Sequence, residues 1–333
     1  MLRNGWTVAM AACVLLLGVP GSARAFCRST SCGFGEAARV AASKPPCARD
    51  ADGCITEGAP LHWPSACIDY AVQVDGSVKL GIDADVLQQA AERAFAAWGG
   101  VHCPGGGSPR LKARFQGFVS CDRPEFVCGD TSKNVNTILF RDKDWDSDRT
   151  AIALTTPSGG TGTGVVVDAD LEINSQTFTF DVDGTGPGAF QLNEVVAHEV
   201  GHFLGLDHSN FRGALMSKNY QTLLLSHELL TSDDIAAICA VYPPGPELDC
   251  APPTAPAYDQ CQLPPNTQQK CELQTMKSHE KAACSISVVA PRGGFGALLL
   301  VGSVLGFRRR RRGGLSLCCC RAPVDGSGVH DRR

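Results

Sequence analysis

His198, Glu199, His202, Gly205 and His208 fall in the order H-E-x-x-H-x-x-G-x-x-H, three imidazoles and one carboxylate at a spacing that suits a single zinc ion. On a helix of about 3.6 residues per turn, His198 and His202 project from one face, so both can bond one ion at about 2.0–2.1 Å. Glu199 stands beside that pair. Glycine at position 205 permits the backbone conformation that ends a helix and turns the chain, which brings His208 round as a third donor. Three nitrogens on a tetrahedral ion leave one corner for water, the mark of a catalytic rather than a structural zinc. Zinc lowers the pKa of its water toward about 7, and a carboxylate within reach can take that proton as the water attacks a polarised carbonyl. The chemistry implied is peptide hydrolysis without a covalent intermediate. The competing reading is an amphipathic helix with histidines on its polar side by chance. Five fixed positions, tried along the whole chain, match by accident with a probability on the order of 10⁻⁴.

This string resembles the metzincin clan of zinc peptidases, and residues downstream narrow the resemblance to the matrixin family. Ser209 directly follows the third histidine, and Gly213-Ala214-Leu215-Met216 corresponds to the segment from which that family builds its Met-turn. The resemblance implies His198, His202 and His208 as zinc ligands, with Glu199 as general base and then proton donor to the leaving amine. It implies Met216 as an apolar floor beneath the metal, against the plainer reading of a gap-filling core methionine. Tyr220 sits where matrixins place a tyrosine in the wall of the primed-side specificity pocket, although Lys218 replaces the proline usual between Met and Tyr. The family's final helix carries an acidic pair like Asp233-Asp234, one of which can pair with the amino group of the mature enzyme. Its second, structural zinc is not expected here, because no histidine lies between His102 and His198. Its Pro-Arg-Cys-Gly latency switch does not occur in this sequence either. The fold implied is α+β, a zincin-like catalytic domain with a twisted, mostly parallel mixed sheet of about five strands and three main helices.

The elements that must position these residues are partly readable. Residues 67–74 alternate in strand fashion, and Asp83 or Asp85 can cap a helix running through Trp98, with Val86, Ala90, Phe95 and Trp98 as its apolar stripe. Residues 111–118 and 137–140 read as further strands. In residues 165–174, Asp168, Asp170, Glu172 and Asn174 alternate with Ala169, Leu171 and Ile173. That is the pattern of an edge strand beside a substrate cleft, whose free backbone could pair with an extended peptide. An outer strand kept soluble by its acids is the alternative. The zinc helix should begin near residues 191–193. A last helix over residues 232–241 opens with Ser232 as cap and Asp233-Asp234 complementing its positive end.

Residues 1–25 carry Arg3, an apolar run over 8–19 and Ala23-Arg24-Ala25, which reads as a signal peptide cut before Phe26. Of 17 cysteines, Cys13 leaves with the signal and Cys318, Cys319 and Cys320 lie in a terminal tail. With Cys284 set aside, an even set remains: Cys27, Cys32, Cys47, Cys54, Cys67, Cys103, Cys121, Cys128, Cys239, Cys250, Cys261 and Cys271. In an exported chain that set reads as disulfides, with connectivity not derivable from spacing. One of Cys27, Cys32, Cys47 or Cys54 could instead block the zinc, but pairing is preferred. The organisation expected is a Cys-rich segment at 26–62, a catalytic domain at 63–245 and a proline-rich, disulfide-pinned stalk at 246–284. Residues 285–312 follow as a short apolar segment with an arginine cluster, and 313–333 as a disordered tail. The apolar run 293–307 spans about 22 Å as a helix, short of the hydrocarbon core of about 30 Å. Cys284, the short run and Arg308 to Arg312 resemble the C-terminal sorting signals of myxobacterial surface proteins. A marginal membrane helix with positive-inside flanks is the alternative. The chain continues past the arginines, unlike such signals.

A net charge of −4 and the absence of a basic face before Arg308 give no reason to expect nucleic acid. Asp142, Asp144, Asp146 and Asp148 form a ladder that could bind calcium (Ca2+), yet they lack the glycine and distal glutamate of an EF-hand, so a solvated loop is preferred. The expectation is a monomeric zinc (Zn2+) endopeptidase of a bacterial cell surface, outer membrane or exterior, acting on protein or peptide substrates, with membrane contact through its C-terminal segment. Its rival is a surface binding or adhesion module that keeps zinc for structure.

Overall fold

The structure, a computed structural model, describes residues 26–33, 40, 43–127, 130–160, 162–182, 186, 188–218 and 230–256. Tyr220, Cys128, the stalk beyond residue 256 and the whole C-terminal segment lie outside the described residues. Among the described residues, no helix is long and apolar enough to cross a membrane.

The chain runs through β1 (Cys67–Gln73), α1 (Ala84–Gly100), β2 (Lys112–Val119), a 3-10 turn (Thr131–Lys133), β3 (Thr137–Phe140), β4 (Ala153–Gly159), β5 (Val166–Ile173), β6 (Phe180–Asp181), β7 (Phe190–Gln191), α2 (Leu192–Phe203) and α3 (Ser232–Val241). Five strands form one sheet in the order β2-β1-β3-β5-β4. All neighbours are parallel except β4 and β5. The fold is therefore α+β, with a mostly parallel mixed sheet and three main helices.

Alternation decides which side chains meet the helices. Ile68, Tyr70 and Val72 of β1, Ile138 and Phe140 of β3, and Ala169, Leu171 and Ile173 of β5 join the main core with α1 and α2. Helix α1 is alanine-rich and amphipathic, burying Leu87, Ala90, Ala91, Ala94, Phe95 and Trp98, and it ends at two glycines. Asp83 occupies its N-cap position without a side-chain cap bond, and Val86 is only half-buried. Trp98 is fully buried and donates its indole N–H to the Ala197 carbonyl at 2.8 Å, which locks α1 against α2. A relay of rings runs through the core: Trp63 on Phe203 at 5.3 Å, Phe203 on Phe95 at 5.4 Å, Phe95 on Tyr70 at 4.8 Å. Each such pair contributes about 0.5–1.5 kcal/mol beyond its buried area.

Residues 165–174 are not an edge strand, contrary to their pattern. Strand β5 is flanked by β3 and β4, so both of its backbone edges are paired. Its acids are buried rather than solvated: Asp168 is 0%, Asp170 3% and Glu172 1% exposed. Asp170 accepts from the backbone N–H of Thr137 at 2.9 Å and of Glu125 at 3.1 Å, and Glu172 pairs with buried Arg141. The alternation is real, but loops replace water on the polar face. Burial, and then the neighbouring Asp170, pushes the Asp168 carboxyl well above the usual range. The outer strand beside β5 is β4, which carries no alternation legible in its sequence ALTTPSG.

The cap of α3 also differs. Thr231, not Ser232, is the N-cap, in a reciprocal capping box with Asp234. Among the described residues, disulfides join Cys27 to Cys54, Cys32 to Cys47, Cys67 to Cys250 and Cys103 to Cys239. Cys121 is disulfide-bonded as well.

Candidate metal centre

Helix α2 is buried along nearly its whole length, because Leu192, Val195, Val196, Val200 and Phe203 all meet apolar neighbours. His198, Glu199 and His202 are consequently held in the interior, at 3%, 0% and 2% exposure. The helix ends at Gly205, whose φ of +95° allows Gly205 N–H to bond the His202 carbonyl and Leu206 N–H the Gly201 carbonyl. Trp63 and Tyr242 cap the Phe203 and Leu204 carbonyls. The turn delivers His208 to the other two histidines, with ring centroids 4.7 Å from His202 and 5.4 Å from His198.

The three imidazoles offer nitrogens that all lie within 4.8 Å of one another. His198 donates Nδ1–H to the Leu215 carbonyl at 2.6 Å, and His202 donates Nδ1–H to the Leu206 carbonyl at 2.9 Å. Carbonyls only accept, so in each neutral ring the proton sits on Nδ1 and Nε2 carries a lone pair. Those two Nε2 atoms face each other at 3.1 Å. Two lone pairs so placed repel unless a cation lies between them, and ligands about 2.05 Å from a tetrahedral zinc would stand about 3.3 Å apart. His208 Nε2 is likewise buried without a partner among the described residues. Burial first, then mutual repulsion, lowers the His198 pKa to about 3; burial lowers that of His202 to about 4 and drives that of His208 well below the ordinary value. Neutral, convergent and unpartnered nitrogens fit zinc.

Glu199 lies beside this group. Its Oε2 accepts from the Thr155 hydroxyl at 2.7 Å, while Oε1 has no partner among the described residues. Burial raises its pKa to about 8, with the Thr155 bonds opposing. Thr155 belongs to β4 and was not singled out by the sequence reading, for which it was one polar residue in an unremarked stretch.

Behind the histidines the chain turns through Leu215 and Met216. Asp234 accepts from both backbone N–H groups, at 2.9 and 3.1 Å, and so fixes the Leu215 carbonyl that orients His198. Asp233 accepts from the Ser209 hydroxyl at 2.6 Å. Met216 is 1% exposed and packs where a side chain at Gly201 would project, together with Trp98. Tyr220 lies outside the described residues. In the acidic ladder, Asp142 accepts from the Ser77 and Ser175 hydroxyls and the Lys79 backbone N–H, and Asp148 from Thr150.

A mixed sheet over a helix with three convergent imidazoles and one buried carboxylate defines a class of site suited to a single metal ion. Within that class, the family described as matrixin matches residues 124–243, the stretch from just after β2 to the end of α3. Matrix metalloproteinase-27 of Tupaia belangeri is 51% identical over 53 residues, 16% of this chain and 10% of that protein. Interstitial collagenase of Sus scrofa is 42% identical over 71 residues, 21% of this chain and 14% of that protein. Human matrix metalloproteinase-16 is 42% identical over 62 residues, 19% of this chain and 10% of that protein. The matches thus span a tenth to a seventh of the length of these relatives.

Proposed function

We propose that this protein is an exported, zinc-dependent endopeptidase that hydrolyses peptide bonds in extracellular proteins or peptides. The observation that carries the reading is the convergence of three neutral imidazole nitrogens beside a buried carboxylate that keeps one oxygen unpartnered. His198, His202 and His208 would hold the zinc. The ion supplies Lewis-acid polarisation of the scissile carbonyl and acidifies water. Glu199 takes the proton of the attacking water on Oε1 and passes it to the departing amine, while Thr155 anchors Oε2 and keeps the carboxylate in one orientation. Met216 forms the apolar floor that holds α2 and the ligand turn at fixed separation. Tyr220 is assigned to the wall of the specificity pocket. Export through residues 1–25 accords with the disulfides, which persist in oxidising surroundings. Residues 285–312 would then sort or tether the enzyme at the cell surface of a bacterium.

The test is cleavage of a diverse peptide library by the purified, zinc-loaded full chain, with and without chelator, beside Glu199→Gln. The expected outcome is chelator-sensitive cleavage, with kcat/KM falling about 10²- to 10⁴-fold in the variant while zinc is retained. Zinc bound with no peptide cleaved would instead favour a surface binding module.

A further inference from the structure

Residues 27–31 lie between two other stretches of backbone. On one side, Leu61 N–H bonds the Ser29 carbonyl and Ser31 N–H the Ala59 carbonyl, both at 2.8 Å. On the other, Ser29 N–H bonds the Gly205 carbonyl and Asp207 N–H the Cys27 carbonyl, both at 3.0 Å. The second pair brackets an antiparallel bridge between Arg28 and Leu206. Residues 205–207 are the turn that carries His208. Approach here is so close that a Cβ on Gly205 would run into the Leu61 carbonyl. Disulfides at Cys27–Cys54 and Cys32–Cys47 fasten this N-terminal stretch at both ends, and they leave none of these four sulfurs as a thiolate.

One contact reaches the imidazoles. The Ser29 hydroxyl donates to the Leu206 carbonyl at 2.9 Å, and that same carbonyl accepts Nδ1–H of His202 at 2.9 Å. A carbonyl oxygen has two lone pairs, and both are used. His198 is oriented in a parallel way, by a Leu215 carbonyl whose peptide is fixed by Asp234. The two histidines of α2 therefore rest on two anchored carbonyls. One anchor comes from α3, and the other from a residue 177 positions upstream of the carbonyl it holds.

We infer that residues 27–31 are an integral part of the metal centre, and that Ser29 is a positioning residue which fixes the Leu206 carbonyl and, through it, the His202 ring. The inference rests on the zinc reading above. Partners of a ligand histidine's second nitrogen set its tautomer, orientation and basicity, and their loss typically costs 10- to 100-fold in metal affinity. Ser29 acts one bond further out, on the acceptor itself. The segment is thus a stay of the ligand turn rather than a plug to be removed.

The experiment uses the full chain as wild type, Ser29→Ala, Ser29→Thr and Cys27→Ala/Cys54→Ala. Zinc affinity is measured by competition with a chelator, ligand geometry by the visible spectrum of the cobalt-substituted protein, and stability by calorimetry of the metal-free form. Ser29→Ala is expected to weaken zinc binding about 10-fold and to alter the cobalt spectrum, with little change in the melting temperature of the metal-free protein. Ser29→Thr, which keeps the hydroxyl, restores both. The double cysteine variant, which frees Cys27, weakens zinc binding as well and serves as the test should Ser29→Ala not fold. Zinc affinity of Ser29→Ala within twofold of wild type, or a loss that threonine does not restore, overturns the inference while leaving the peptidase reading intact. A wild-type chain that binds no zinc overturns both.

Discussion

Glu199 is wholly buried, and burial raises its pKa from 4.5 to about 8. A carboxyl whose folded pKa exceeds its unfolded one favours folding most below the unfolded value, and that contribution is lost as pH rises through the folded value. In the metal-free protein the cost of burying Glu199 therefore builds up between about pH 4.5 and pH 8, and a bound cation removes it by stabilising the charge. Glu199→Gln should melt higher than wild type in metal-free calorimetry, by a margin that grows between pH 5 and pH 8 to on the order of 3–5 kcal/mol and shrinks when zinc is added. A margin independent of both pH and zinc would refute this. Gly201 makes the complementary point about space, since a Cβ there would collide with the Met216 sulfur and the Trp98 ring. Gly201→Ala should cost about 1–3 kcal/mol in urea denaturation through overpacking, and it should loosen zinc binding by displacing Met216 from the ligand turn.

Helix α3 contributes to the site without touching a reacting atom. Its Asp234 carboxylate accepts from Leu215 N–H, Met216 N–H, Thr231 N–H and the Thr231 hydroxyl, all between 2.7 and 3.1 Å. Asp234→Ala strands these donors in the interior and should cost about 3–5 kcal/mol, against about 1 kcal/mol for the cap variant Thr231→Ala, both read by urea denaturation. The difference measures what the turn requires beyond the cap. Helices are legible in the sequence because their signals are local: the histidine string places α2, an apolar stripe ending at Trp98 places α1, and the acidic pair marks the start of α3. Strands are less so. Pro157 and Gly159 in β4 are residues that normally break strands, which hid both the outer strand and the Thr155 that holds Glu199. The acids of β5 alternate as they would toward water, and a local pattern cannot distinguish water from backbone donors supplied by a loop such as Glu125 N–H. Nor could spacing show Ser29 meeting Leu206, a contact between residues 177 positions apart.

Across the whole molecule, disulfides tie the periphery to the sheet and helices. Cys67–Cys250 closes a separation of 183 residues and fastens the root of the proline-rich stretch beside β2. There Arg110 donates to the Pro246 carbonyl, Arg114 to that of Ala251, and Gln116 to that of Thr254. Strand β2 is the opposite edge of the sheet from β4, so residues 246–254 lie along the edge away from Thr155 and Glu199. Cys67→Ala/Cys250→Ala should lower stability by about 2–5 kcal/mol in denaturant titration, with zinc affinity unchanged because this bond lies far from the ligand turn in the sheet order. The account as a whole depends on one ion held by His198, His202 and His208. X-ray absorption at the zinc edge, on the full chain loaded to equilibrium, tests that directly. The result expected is one zinc per chain with three imidazole nitrogens at about 2.0–2.1 Å and one further light atom. Sulfur in the first coordination sphere, fewer than three imidazoles, or no zinc retained would contradict it.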